Sequence, residues 1–408
     1  MQGTHERTIA SRRKFIGQAG LTSAGLLSFK LPLWTKKLIE LVSIGKQPLH
    51  NIPANKNLDP AWVRSLYQRT HVTTYLKSKN ELKYIGMPAG GLHAGTVYLG
   101  GDGRLWLWGI YNDAREGIDP KTVLWNDGTQ EVKVRNRDGA SYVEPAIASN
   151  KRVLEQGFAI KLEYNGHVLI KELKEEDWEE IKFEATYPTA TIHYLEAGCP
   201  VEVIVKAGGI FIPLDADSSA IPATIYSITL KNKTNHRLTA SIVGWFENGA
   251  RKISAKEPDG VRQNTAIHQD TYCSILGDFK ATNLATPTTV DEGSTCITLV
   301  GGGGKVNTNA APWPVDNATF TKQDLLPVEK PATEKLVGSI STQVVVAPGK
   351  TVEANFVLSW HFNHPLPKLT KLKDTKEGYY YGKRFKNAGE AGAYIAQHFQ
   401  QLFGQTLL

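Results

Sequence analysis

The acidic pair Asp215 and Asp217, in the stretch PLDADSS, is where this sequence comes closest to carrying chemistry. Two neighbouring carboxyls can divide labour, one held protonated as an acid and the other ionised as a base or nucleophile. Residues two apart on a strand share a face, so a strand here would bring the pair together. The plainer reading is a loop, in which both cap backbone N–H groups or meet a neighbouring domain. Glu175, Glu176, Asp177, Glu179 and Glu180 form a second acidic run, which reads as solvated surface. His361 and His364, in HFNH, have a spacing a metal could use, but they sit where the chain runs into Pro365 and read as a connector. Cys199, Cys273 and Cys296 are odd in number and fit no zinc motif. They allow at most one intrachain disulfide, and buried free thiols are expected. No cofactor and no metal are called for.

Aromatic and polar residues at strand ends are the other candidates. Trp106, Trp108 and Tyr111 lie on or just beyond one strand-like run. They could stack on a flat apolar ligand face, or they could be core, since alternating Trp on a strand points inward. Trp245, Glu247 and Asn248, in GWFENG, close another run and could line a site or make a turn or domain contact.

The elements that must position these residues centre on Lys83–Trp108, KYIGMPAGGLHAGTVYLGGDGRLWLW. A glycine-rich approach leads to a run Thr96–Leu99, a turn Gly100-Gly101-Asp102-Gly103, and a second run Arg104–Trp108. That is a hairpin signal. A phosphate-binding loop would have to enter a helix, and this one enters a strand. Further strand-like runs follow at Ala159–Tyr164, Ala190–Leu195, Pro200–Lys206, Thr224–Leu230, Leu238–Trp245, Cys296–Val300, Ile340–Val346 and Thr351–Trp360. Turn signals such as Asn165-Gly166 and Pro348-Gly349 separate them. The reading is a mainly β chain, a sandwich of two sheets. Gly301–Gly304 and the piece around Trp313 read as insertions at sheet ends. Asp59 and Pro60 mark the start of a short helix.

Tyr379–Leu402 carries apolar residues at helical spacing (Tyr381, Phe385, Ala388, Ala391, Ile395, Phe399, Leu402) and reads as one amphipathic helix. Its apolar face needs cover, either from the β domain or from an all-helical domain that it opens. At the other end, SRRKFIGQAGLTSAGLL, with Arg12 and Arg13 before Lys14-Phe15-Ile16, resembles a twin-arginine export signal and implies a periplasmic or extracellular protein. No segment approaches the length of an integral membrane span. The net charge of +7 is concentrated at this end, with eight basic and two acidic residues in 1–50 against 39 and 38 elsewhere. The basic pI is therefore no argument for nucleic-acid binding.

Six stretches in order resemble the N-terminal domain of glycoside hydrolase family 116, the family of bacterial β-glucosidases and non-lysosomal glucosylceramidases. They are Glu81–Trp108, Tyr187–Tyr194 (YPTATIHY), Pro200–Pro222, Gly244–Ala250 (GWFENGA), Phe356–Phe362 (FVLSWHF) and Tyr379–Phe399. The resemblance implies a supersandwich-like β domain packed on a following (α/α)6 catalytic barrel, in retaining enzymes acting on a β-glucoside or glycolipid carbohydrate. The nucleophile and the acid/base of such enzymes lie in the barrel, so it implies no catalytic residue here. The expected layout is a signal segment in 1–30, a linker with a short helix in 31–80, the sandwich in 81–365, and in 366–408 a linker and the first helix of an absent catalytic domain. The alternative is a stand-alone carbohydrate-binding or interaction module. Retaining glycoside hydrolysis needs carboxyls roughly 5–5.5 Å apart, and Asp215 with Asp217 is the best local candidate for that geometry.

Overall fold

Alternation of side chains decides the architecture. Val201, Val203 and Val205 are buried while Glu202 and Ile204 between them are only half-buried, and the same period of two runs through Ile181–Phe183 and Ile192–Tyr194. The computed structural model describes residues 57–62, 72–111, 121–125, 130–134, 154–256, 259–282, 288–311, 313–364 and 378–407. Arg12, Arg13 and the rest of the leader lie outside these residues. The chain divides into two units, 1–70 and 71–408. In the first, residues 60–62 are helical, and Asp59 Oδ1 accepts from the Ala61 N–H at 2.8 Å, the cap its sequence promised.

The second unit is a sandwich of two antiparallel sheets. The larger has ten strands, in the order Thr73–Leu76, Glu180–Thr186, Thr189–Leu195, Val201–Gly208, Ala223–Asn232, Thr351–His361, Ser294–Val300, Tyr272–Ala281, Gly260–Gln269 and Val328–Pro331. The smaller has five, in the order Lys305–Asn307, Val337–Val346, Leu238–Glu247, Gln156–Tyr164 and His167–Glu172. Pairing of Ile242 with Ile160 and Ala240 with Leu162 places one buried row on the inner face of the smaller sheet. Tyr226, Phe356, Leu358 and Trp360 meet it from the larger sheet, and Phe158 lies 4.6 Å from Tyr226 and 5.3 Å from Phe356 between ring centroids. The strands Glu180–Thr186, Gly260–Gln269, Tyr272–Ala281 and His167–Glu172 carry no strand signal in the sequence analysis. Gly260–Gln269 turns Arg262 and Asn264 inward, so its buried face is polar and its alternation is invisible to hydropathy.

The glycine-rich stretch forms a three-stranded sheet, Met87–Pro88, Thr96–Leu99 and Leu105–Gly109. Its tight turn is welded to the large sheet. Gly103 sits at φ +89°, and a Cβ there would lie 2.3 Å from Tyr194 Oη. Tyr194 donates to Asp102 O at 2.7 Å and Tyr226 to Gly103 O at 3.1 Å. Upstream, Trp360 Nε1 donates to Ala94 O at 2.7 Å and Thr224 Oγ1 to Ala89 O at 2.8 Å. These glycines serve close packing between backbone and core.

The C-terminal apolar run is three helical segments, Tyr381–Arg384, Ala388–Gln397 and Phe399–Leu407, where the sequence predicts one. Asn387 breaks the run by capping a fresh helix: its side chain accepts from the Glu390 N–H at 3.0 Å. Of the two possible covers, the β domain supplies it. Ile395, Phe399 and Leu402 form one buried cluster with Ile225 and Val357 from the outer face of the ten-stranded sheet. Gly392 allows the close approach, since a Cβ there would be 2.6 Å from Thr298 Oγ1. Ser359 Oγ donates to Ala388 O at 2.8 Å. No helix among the described residues is long and apolar enough to cross a membrane. Cys199, Cys273 and Cys296 are free and buried, as expected, and burial pushes the Cys273 and Cys296 thiols up to about 11.

Candidate functional site

Asp215 and Asp217 do not lie on a strand. Asp215 caps the one-turn helix Ala216–Ser219, accepting from the Ser218 N–H at 2.9 Å, and the hydrogen bond from Ser218 holds its pKa below the usual value. Asp217 is in that helix's first turn. Positions two apart in a helix point about 200° apart, so the shared face expected of a strand is lost. Asp217 is taken up by the C-terminal segment instead: Tyr380 Oη donates to its carboxylate and an Arg384 N–H to its carbonyl. Both acids tie the 209–221 loop to itself and to the C-terminal helices.

Trp106, Trp108 and Tyr111 are core. Trp106 donates from Nε1 to Ile85 O at 3.1 Å, Trp108 stacks on Phe246 at 5.5 Å, and Tyr111 meets Phe362 edge-on at 4.9 Å. All three are at most 5 % exposed, so none offers a ring face to a sugar.

Trp245, Glu247 and Asn248 are equally enclosed. Glu247 Oε1 lies 2.5 Å from Lys252 Nζ and 3.9 Å from Arg262, and Oε2 accepts from the Glu155 N–H at 2.9 Å. Burial pulls the Lys252 pKa down, and the attraction of Glu247 only partly offsets it. Asn248 Nδ2 donates to Gln263 O at 3.0 Å and Asp278 O at 2.9 Å. Arg251 beside it pairs with Glu292 at 2.6 Å and lies over the Phe279 ring at 4.5 Å. Asp291 accepts from the Ile253 and Ser254 N–H groups at 2.7 and 2.8 Å. Burial raises its pKa, but the hydrogen bonds from Ser254, Thr289 and these backbone groups outweigh that and hold it below the usual value. The GWFENGARK stretch is thus an internal polar knot, with Glu247, Asn248, Arg251 and Lys252 paired within the protein. Sequence reasoning missed Arg251, Lys252, Arg262 and Asp291: three of them find partners in loops 8 to 72 residues away, and Lys252 meets Glu247, five residues back, only because the chain folds over after the strand end.

The acidic run is also structural in part. Lys77 Nζ donates to the carbonyls of Glu175 and Trp178, and Asp177 accepts from the Glu172 N–H at 2.8 Å. Glu179, Glu180, Glu196 and Glu202 line an open cleft of about 360 Å³ with Lys233. Glu179 accepts from the Ala197 N–H at 3.0 Å, Glu180 from the Ser78 N–H at 3.2 Å, Glu196 pairs with Lys171, and Glu202 lies 3.7 Å from Lys231. His361 Nε2 meets Phe385 O at 2.9 Å, which joins the strand end to the helical segment.

The geometry defines a β-sandwich scaffold whose acids and aromatics are engaged in holding it together. A family model described as "beta-glucosidase 2, glycosyl-hydrolase family 116 N-term" matches residues 86–403. The chain belongs to that family of glycoside hydrolase N-terminal domains, and the match takes in the helical segments Tyr381–Arg384 and Ala388–Gln397 and the first half of Phe399–Leu407. Among solved structures it is similar to a polysaccharide lyase, at 9% identity and TM-score 0.29, covering 68% of this chain and 33% of that one. It is also similar to a putative kojibiose phosphorylase from human microbiome, at 12% identity and TM-score 0.24, covering 59% and 27%. A putative aldose 1-epimerase from Klebsiella pneumoniae, at 10% identity and TM-score 0.31, is covered over 96% of its length and covers 81% of this chain. The chain thus spans a third or less of the first two. No curated protein matches it.

Proposed function

We propose that this chain is the non-catalytic N-terminal β-sandwich of a retaining β-glucosidase- or glucosylceramidase-type hydrolase. It supports a separate (α/α)6 catalytic barrel that carries the nucleophile and the acid/base, and it shapes the edge of that barrel's cleft. One observation carries this reading: the carboxylates with catalytic spacing in sequence, Asp215 and Asp217, are a helix cap and a clamp for the C-terminal segment. Retaining hydrolysis needs one carboxyl kept protonated and a second free to attack. Neither Asp215, held ionised by its hydrogen bonds, nor Glu247, paired with Lys252, meets that need. Membership of a family of hydrolase N-terminal domains supports the same reading. Its substrate would be a β-glucoside or glycolipid carbohydrate. The Arg12-Arg13 leader supports export to the periplasm or beyond by a twin-arginine route.

Assay of p-nitrophenyl β-glucoside tests it. The purified chain alone is expected to give no turnover, and addition of a family 116 catalytic domain stripped of its own sandwich is expected to gain activity. Turnover by the chain alone, lost in Asp217→Asn, would overturn it.

A second reading, a free-standing carbohydrate-binding module, is favoured by Trp313. Its ring is 43% exposed and stands edge-on to Trp245 at 6.0 Å. Titration with glucosides separates the two, since this reading requires micromolar binding that Trp313→Ala removes.

A further inference from the structure

Fourteen large apolar side chains are exposed among the described residues, and five of them, Leu92, Tyr187, Leu214, Tyr380 and Leu407, belong to or adjoin one corner, the loop 211–219. Contacts beneath them make the corner continuous. Leu92 N–H donates to Ser219 O at 2.7 Å, the Tyr187 ring lies 5.8 Å from Phe211, and Tyr380 Oη donates to Asp217. Phe211 N–H donates to Thr406 Oγ1 at 3.3 Å, so the last helix ends against this same loop. Scattered apolar residues are ordinary, whereas a gathered set rimmed by polar groups marks a contact surface. Here the rim is Asp217 with Arg384.

Leu214 is the tip. Its side chain is wholly exposed at 108%, and its backbone sits at φ +68°, a left-handed conformation that a leucine adopts only against steric resistance. A leucine with its side chain in water and its backbone at positive φ gains apolar burial only from a partner.

We propose that this corner is the seat of the catalytic module, with Leu214 as the side chain that enters it; this rests on the scaffold reading above. The occupant is argued from position and chemistry. In a family of N-terminal domains the partner is the catalytic module, and the helix Phe399–Leu407 that the family match enters packs through Thr406 on Phe211, in the same loop as Leu214. An apolar centre with a polar rim is the anatomy of a domain or protein interface.

The test measures binding of the full chain to a purified (α/α)6 family 116 catalytic domain by calorimetry. Leu214→Asp and Tyr187→Asp are expected to weaken binding at least tenfold with unchanged melting temperature. Val168→Asp, 62% exposed on the edge strand His167–Glu172 of the smaller sheet, is expected to change it less than twofold. If the wild-type chain binds and Leu214→Asp binds equally well, the corner is wrong while the scaffold reading stands. If the wild-type chain does not bind, both fall. Concentration-dependent self-association of the chain alone that Leu214→Asp abolishes would assign the corner to a second copy and overturn the proposal.

Discussion

The turn that locks the glycine-rich hairpin to the large sheet gives a graded test of the packing argument. In Gly103→Ala the backbone must hold φ +89° with a Cβ, which costs about 1–2 kcal/mol. The new atom would also lie 2.3 Å from Tyr194 Oη, so the phenol must move and lose its 2.7 Å hydrogen bond to Asp102 O, a net loss of about 1 kcal/mol. The expected destabilisation is about 2–3 kcal/mol, or roughly 4–6 °C in melting temperature at the low sensitivity of a large domain. Gly166→Ala is the control. It has φ +78° but nothing within 4 Å of the added carbon, so only the conformational penalty of about 1–2 kcal/mol applies. Tyr194→Phe removes the obstructing oxygen, and the next ring atom is 3.6 Å away. The double variant Gly103→Ala/Tyr194→Phe should therefore be less destabilised than the sum of the singles by about 1 kcal/mol. Denaturant unfolding of the four variants reads this directly. Equal penalties at Gly103 and Gly166, with additive behaviour of the double variant, would refute the lock.

Three further outcomes are expected. Lys252→Met leaves buried Glu247 without its closest cation and should destabilise by about 3–5 kcal/mol, with Glu247→Gln in the same background restoring most of it, by thermal unfolding. Asp291, whose folded pKa lies below its unfolded value, contributes stability that is full above about pH 4 and lost as pH falls through the folded pKa, so Asp291→Asn should be less stable at pH 7 and lose less between pH 4 and 2. The thiols of Cys273 and Cys296, raised to about 11, should resist a thiol reagent at pH 8 until the chain is unfolded, and fast native labelling would contradict their burial.

The sandwich was legible where β-branched and aromatic residues are dense. Val201–Gly208 alternates through Val201, Val203 and Val205, and Leu238–Glu247, buried on both faces, announces itself by Ile242, Val243, Trp245 and Phe246, whereas the charged residues of Glu180–Thr186 hid its alternation. Gly260–Gln269 was not legible, because Arg262 and Asn264 are its inward residues and only the loop carbonyls of Ala250 and Thr308 that they satisfy explain them. The C-terminal apolar spacing was correct, but Asn387 could be recognised as a cap only once Glu390 was seen to need it. The candidate residues were found by type, and their roles were not. Spacing puts Asp215 and Asp217 on one face only if the backbone is extended, and Leu214 at positive φ leads instead into a helical turn. Trp106 and Trp108 looked amphibious because a strand has two faces; here the three-stranded sheet is covered on both.

The central claim is that the carboxylate which attacks the sugar is not in this chain, and trapping is its most direct measure. A retaining hydrolase incubated with a fluorinated glucoside accumulates its covalent glycosyl intermediate, visible as an added mass on the intact protein. The purified chain is expected to keep its unmodified mass while a family 116 catalytic domain in the same tube is labelled. A glycosyl adduct on Asp217 or any other carboxylate of this chain would contradict the account.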